Sequence, residues 1–163
     1  MKIFEIIRVL AAAPAVQILF LEPIPENLVV DESAKKNNVY RMMVLYRKTI
    51  NVIDDIDSGG CEGIDTWFER SGVTAEMHAD RNHPLWKTSP YLNTVLRLIS
   101  AEDRDFNYTK HGLRSAHEWK LVRKLASEVL SACGEDQDLS YGSFEDLWVD
   151  AYGNYEEDDD LGH

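Results

Sequence analysis

Eleven carboxylates dominate the chemistry this chain can offer. Glu135, Asp136, Asp138, Glu145, Asp146, Asp150, Glu156, Glu157, Asp158, Asp159 and Asp160 all fall within residues 134–163, which hold no Lys or Arg. The preceding 133 residues carry 18 acids and 17 bases, so the formal net charge of −12 sits almost entirely at one end. Carboxylates gathered in this way can ligate a cation, form an acid–base pair, or present a row of negative charge to Lys and Arg on another surface.

The first two uses find little support in the spacing. Asp55, Asp57 and Gly60 suit a calcium loop, but Gly59 stands at a ligand position and Thr66 where a bidentate Glu is required. His78 and His83 flank Asp80, yet a separation of five does not set two imidazoles on one helical face, and His111 is too distant to complete a set. We therefore expect no metal and no cofactor. No nucleophile elbow, phosphate loop, dinucleotide fingerprint or zinc-protease helix motif occurs, and the many Ser and acidic residues select no catalytic set. The chain reads as non-enzymatic.

The third use fits better. From Ser143 to Tyr155 the residues Phe144, Leu147, Trp148, Ala151 and Tyr155 recur at helical spacing, which leaves Glu145, Asp146 and Asp150 facing elsewhere. Aromatic residues set among acids suit a surface that anchors by apolar burial while presenting charge. The candidate partner-binding set is Asp138, Glu145, Asp146, Trp148, Asp150, Tyr152, Glu156, Glu157, Asp158, Asp159 and Asp160. On a competing reading, Phe144, Leu147 and Trp148 close the domain's own core. Trp86 is the second interface candidate, whereas Trp67 and Trp119 lie on apolar helix faces and read as core.

The basic counterpart is a stripe of Lys110, Arg114, Lys120, Arg123 and Lys124, with His117 among them. It reads as a solvated face, or as the receiver of the chain's own acidic end. A nucleic-acid or phosphate site there would be opposed by the field of the acids.

Several helices must position these groups. Ile3, Ile6, Ile7 and Leu10 share a face, with Glu5 and Arg8 opposite and Pro14 as the stop, predicting a helix over Lys2–Ala13. Residues 16–21 form an apolar run that periodicity leaves open between strand and helix. Asp31 or Ser33 can cap a helix reaching about Asp54, with Val39, Met42, Met43, Tyr46, Ile50 and Ile53 on its stripe. Val44, Leu45 and Val52 lie off that stripe, which predicts burial on two sides. Ile64, Trp67 and Phe68 suggest a short helix ended by Gly72. Ser89-Pro90 reads as an N-cap and first-turn pair for a helix to about Ser100, and residues 101–113 read as a loop. Ser115 and Glu118 have the spacing of a capping box, Gly134 supplies a stop, and Trp119, Val122, Ala126, Val129, Leu130 and Cys133 share one arc between them.

The fold expected is a mainly α, single-domain bundle of about five to six helices with a short β element allowed near residues 16–30. Residues 1–153 form the helical domain and 154–163 an acidic tail. The N-terminal run is broken by Glu5, Arg8, Pro14 and Glu22 well short of the ~20 apolar residues a membrane span requires, so it reads as core. Cys61 and Cys133 fit no paired motif and read as buried free thiols in a reducing compartment, giving a cytoplasmic expectation. Asn107-Tyr108-Thr109 matches a glycosylation acceptor, which such a location leaves unused.

In charge design, the concentrated acidic end resembles phage anti-restriction and anti-CRISPR proteins that mimic DNA, and the immunity proteins of nuclease toxins; no sequence motif carries the resemblance. It implies an inhibitor that binds a basic, nucleic-acid-handling nuclease or effector complex and competes with its nucleic acid, without contacting nucleic acid or membrane itself. The alternative is a structural or adaptor subunit that docks the 143–155 helix in a partner's groove.

Overall fold

The computed structural model describes residues 2–26, 38–57, 73, 75–99 and 105–152. Their regular elements are all helical, as the periodicity predicts. Helix α1 (Lys2–Ala11) buries Ile3, Phe4, Ile6, Ile7, Val9 and Leu10. It stops short of Ala13 because Pro14 opens the next helix, α2 (Pro14–Phe20), from the first-turn position where proline's missing N–H is not needed. The ambiguous apolar run is thus helical. Its Gln17 is buried and its Nε2 donates to the carbonyls of Val9 (3.1 Å) and Leu10 (3.0 Å), which satisfies the C-terminal end of α1.

Helix α3 (Asn38–Asp57) buries Val39, Met42, Met43 and Tyr46, and also Val44 and Leu45, so it is covered on two sides as expected. The proposed caps Asp31 and Ser33, the Ile64–Phe68 segment, Cys61 and the side chains of the calcium-like turn lie outside the described residues. A short helix α4 (Ala75–Ala79) precedes α5 (Pro84–Ile99).

Helix α5 starts earlier than Ser89-Pro90 predicts. Pro84 opens it, and His83 caps it by accepting the Leu85 N–H at Nδ1 (3.1 Å). Pro90 therefore lies inside the helix, where burial of Leu85, Ser89, Leu92, Val95, Leu96 and Ile99 outweighs one lost backbone bond.

The described part of the stretch expected to be a loop, residues 105–113, is structured. A 3-10 turn (Asp105–Tyr108) leads into α6 (Lys110–Ser115), whose N-cap Thr109 accepts the Gly112 N–H at Oγ1 (2.9 Å). Gly112 looks like a breaker in sequence but is a packing residue: a Cβ there would lie 2.1 Å from the Phe106 carbonyl oxygen. Because α6 runs to Ser115, that residue cannot cap the next helix; its hydroxyl donates to the His111 carbonyl (2.7 Å), and the capping box is absent.

Helix α7 (His117–Ala132) is the hub, packing most extensively on α5 and α1. Trp119, Val122, Ala126, Val129 and Leu130 are buried on the predicted arc, and the Trp119 Nε1–H donates to the Asn107 carbonyl (2.8 Å). Cys133 is half-buried, its thiol pushed up to about 11 by burial and by Glu135. Asn107, Tyr108 and Thr109 are buried, which closes the glycosylation acceptor sterically. No helix among the described residues is long and apolar enough to cross a membrane.

Candidate acidic interaction surface

The acidic region starts where α7 ends. Gly134 adopts φ +70°, and the N–H groups of Gly134 and Glu135 return to the carbonyls of Ser131 (3.1 Å) and Leu130 (2.9 Å), a Schellman turn. The turn delivers Glu135 to Arg8 of α1. The guanidinium holds Glu135 Oε2 at 2.9 Å through Nη2, the Asp136 carbonyl at 2.9 Å through Nε, and Glu5 Oε2 at 3.1 Å through Nη1.

Glu5 faces inward, contrary to its expected position opposite the apolar face. It is 1% exposed, and its two oxygens accept the Ser140 N–H (2.7 Å), the Ser140 hydroxyl (2.6 Å) and the Tyr141 N–H (3.2 Å). Burial alone would raise its pKa. The bonds from Ser140, Tyr141 and Arg8 outweigh that effect and hold the carboxyl below the usual range. A buried charge thus fixes the passage from Glu135 to Tyr141 against α1.

Ser143 then caps α8 (Phe144–Tyr152), its Oγ accepting the Asp146 N–H (3.2 Å). Phe144, Leu147 and Trp148 are all buried. Phe144 meets Phe20 of α2 edge-on at 6.3 Å, and the Arg41 guanidinium of α3 lies 4.4 Å from the Trp148 ring centroid and 5.4 Å from that of Phe144. The same guanidinium reaches Glu145 Oε1 at 2.6 Å and Asn38 Oδ1 at 2.9 Å.

These contacts sort the candidate residues. Trp148 is 2% exposed and packed on Arg41, so it offers no surface to a partner; its place as an interface anchor is corrected to core. Glu145 is exposed but paired with Arg41. Asp138 and Asp146 face solvent, as does Asp150, whose carboxylate accepts the Tyr141 hydroxyl. Burial first, and that bond next, raise the Tyr141 pKa. The side chain of Tyr152 and all of Glu156, Glu157, Asp158, Asp159 and Asp160 lie outside the described residues. Trp86 is half-buried and its Nε1–H donates to the Met77 carbonyl (2.8 Å).

The basic stripe does not hold together as one feature. Lys110 pairs with Glu22 (3.1 Å) and Arg114 with Glu26 (2.6 Å), and the Arg114 bond holds the Glu26 carboxyl low. Arg123 turns inward to donate to the Leu113 carbonyl (2.8 Å) and Gln17 Oε1 (3.1 Å), its pKa lowered by burial. Lys120 and Lys124 remain exposed beside His117. The acidic residues Glu135 and Glu145 of the C-terminal region are received by Arg8 and Arg41, neither of which belongs to the predicted stripe. A signal for Arg8 was present: Glu5 and Arg8 form an i,i+3 pair inside an otherwise apolar helix, a setting in which charges need fixed partners.

Comparison of the chain with protein-family models, with curated proteins and with solved structures found no match.

Proposed function

We propose that this chain is a non-enzymatic inhibitor whose acidic C-terminal surface binds a basic, nucleic-acid-handling protein and excludes that protein's nucleic acid. One observation carries the reading: α8 spends Phe144, Leu147 and Trp148 of its apolar stripe inside the domain while Asp146 and Asp150 face outward. Those two positions are one turn apart, roughly 6 Å along the helix axis. The platform under them is tied down by Glu5, Arg8 and Arg41, so the carboxylates are held before any partner arrives and less ordering entropy is lost on binding. Fixed rows of carboxylate can occupy Lys and Arg sites built for phosphate, with fast and salt-sensitive association. The adaptor alternative needs the apolar stripe of α8 to be available to a partner's groove. Burial of Phe144, Leu147 and Trp148 counts against it.

The test is a binding titration against a panel of basic DNA-binding proteins and nucleases at low and high salt, with duplex DNA as competitor. A partner whose DNA is displaced by this chain, and whose affinity drops for the combined Asp138→Asn, Asp146→Asn and Asp150→Asn variant, supports the proposal. A partner bound equally well by that variant at low salt would overturn it.

A further inference from the structure

Helix α5 has an outer face that the described residues leave open. Tyr91 is 68% exposed and Leu98 53%, and Lys87, Pro90 and Thr94 are exposed on the same side. The helix contains no acidic residue, and the side chains of Lys87 and Tyr91 make no hydrogen bond or ion pair among the described residues. Helix α8 is its counterpart. It contains no base, and its outer face sets Val149, 60% exposed, beside Asp146 and Asp150. Each helix thus presents a large apolar side chain next to charge, and the two charges are of opposite sign.

We propose that these two faces bind one another between copies of this chain, the α8 of one molecule lying on the α5 of the next. Three arguments lead to this occupant. The first is charge. The first 133 residues hold 18 acids and 17 bases and the last 30 hold 11 acids and no base, so the acidic end of one molecule meets a nearly neutral body at a helix whose charged residues are all cations. The second is register. Lys87 and Tyr91 are separated by a rise of roughly 6 Å along α5, and Asp146 and Val149 by roughly 4.5 Å along α8. With the helices parallel and Val149 against the Tyr91 ring, Asp146 comes about level with Lys87. The third is apolar burial. The row of His117, Lys120 and Lys124 on α7 is also exposed and basic, but α7 offers no large exposed apolar side chain, and exposed ion pairs alone contribute little.

Because the two faces differ, the contact is heterologous: a pair of molecules still has one open α5 face and one open α8 face, and association continues past the dimer or closes a ring. The net charge of −12 opposes the approach of two copies, and salt screens that repulsion beyond a Debye length of ~8–10 Å while leaving the Val149–Tyr91 contact intact. The contact takes the same α8 face as the proposed partner, so the two bindings exclude each other. Self-association does not rest on the partner-binding reading, and its test contains no partner.

Sedimentation velocity of the full chain at physiological ionic strength should show a weight-average coefficient that climbs with protein concentration. Lys87→Glu with Tyr91→Glu disables the α5 face, and Asp146→Asn with Val149→Lys disables the α8 face; all four positions are exposed, so both variants should melt close to the parent. Each variant alone should stay monomeric. Their equimolar mixture retains one intact face of each kind and should form a dimer and nothing larger. In that dimer a zero-length carbodiimide, which joins carboxylates to amines in contact, should couple Lys87 of one molecule to Asp146 or Asp150 of the other. A parent that stays monomeric into the millimolar range, a variant that associates like the parent, or a mixture that stays monomeric or couples only at other sites would each overturn the proposal.

Discussion

Glu5 and Ser140 are joined twice, by the Ser140 N–H to Oε1 at 2.7 Å and by the Ser140 hydroxyl to Oε2 at 2.6 Å, across 135 positions of sequence. The bond pair ties the first helix to the passage that carries the acidic surface. It also explains how an ionised carboxylate is kept at 1% exposure: Arg8, Ser140 and Tyr141 together occupy its acceptor sites.

Glu5→Gln should destabilise the fold by on the order of 2–3 kcal/mol, the scale of lost hydrogen bonds to a charged group. The pH dependence has a definite sign. Because the folded-state pKa of Glu5 is lowered, its stabilisation is fully present above the ordinary Glu value of about 4.3 and is lost as pH falls through the folded-state value. Urea titrations across the acidic range should therefore show a steeper loss of stability in the parent than in Glu5→Gln.

Arg41→Lys keeps the charge but removes the planar fork that stacks on Trp148 and Phe144 while reaching Glu145 and Asn38. Hydrogen exchange read by mass spectrometry should show faster exchange in residues 144–152, with the α5 and α7 amides little changed. Equal protection in both proteins would mean that the apolar contacts of α8 hold it unaided.

Gly112→Ala should cost on the order of 3 kcal/mol or more, because the added carbon would meet the Phe106 carbonyl at 2.1 Å, a backbone atom that cannot rotate aside. A thermal melt measures this directly.

Arg123→Met should cost roughly 2 kcal/mol, since it strips donors from the Leu113 carbonyl and from Gln17 Oε1 and leaves a buried amide less satisfied. Lys124→Met, one position further on and exposed, should change stability by no more than about 0.5 kcal/mol. Comparing the two melts separates the structural cation from the solvent-facing one.

Much of the fold was legible because it rests on apolar periodicity. The arc of Trp119, Val122, Ala126 and Val129 and the stripe of Val39, Met42, Met43 and Tyr46 are buried as their spacing predicts. Local punctuation misled where tertiary contact reassigned it: Pro90 sits inside α5, Ser115 ends α6 instead of capping α7, and Gly112 is a close-packing residue in place of a loop residue. The candidate site was half legible. The acids were obvious from composition, but Arg8 and Arg41 find them across 128 and 104 positions, and no local spacing encodes a pairing of that range. Trp148 illustrates the same limit, since one amphipathic stripe serves equally well for a partner or for the chain's own core.

The long span from Glu5 to Ser140 also bears on how the protein is made. A ribosome adding ~5–20 residues per second needs roughly 7–27 s to pass from one to the other. Throughout that interval the carboxylate has no Ser140 or Tyr141 to receive, and the apolar face of α1 waits for α7, its most extensive partner, to emerge. The nascent chain thus exposes an oily helix bearing an unanswered charge pair until nearly all of residues 1–141 have been synthesised. Co-translational chaperones that recognise apolar segments have their longest opportunity at this helix, and a slow stretch of codons just before residue 134 would prolong it.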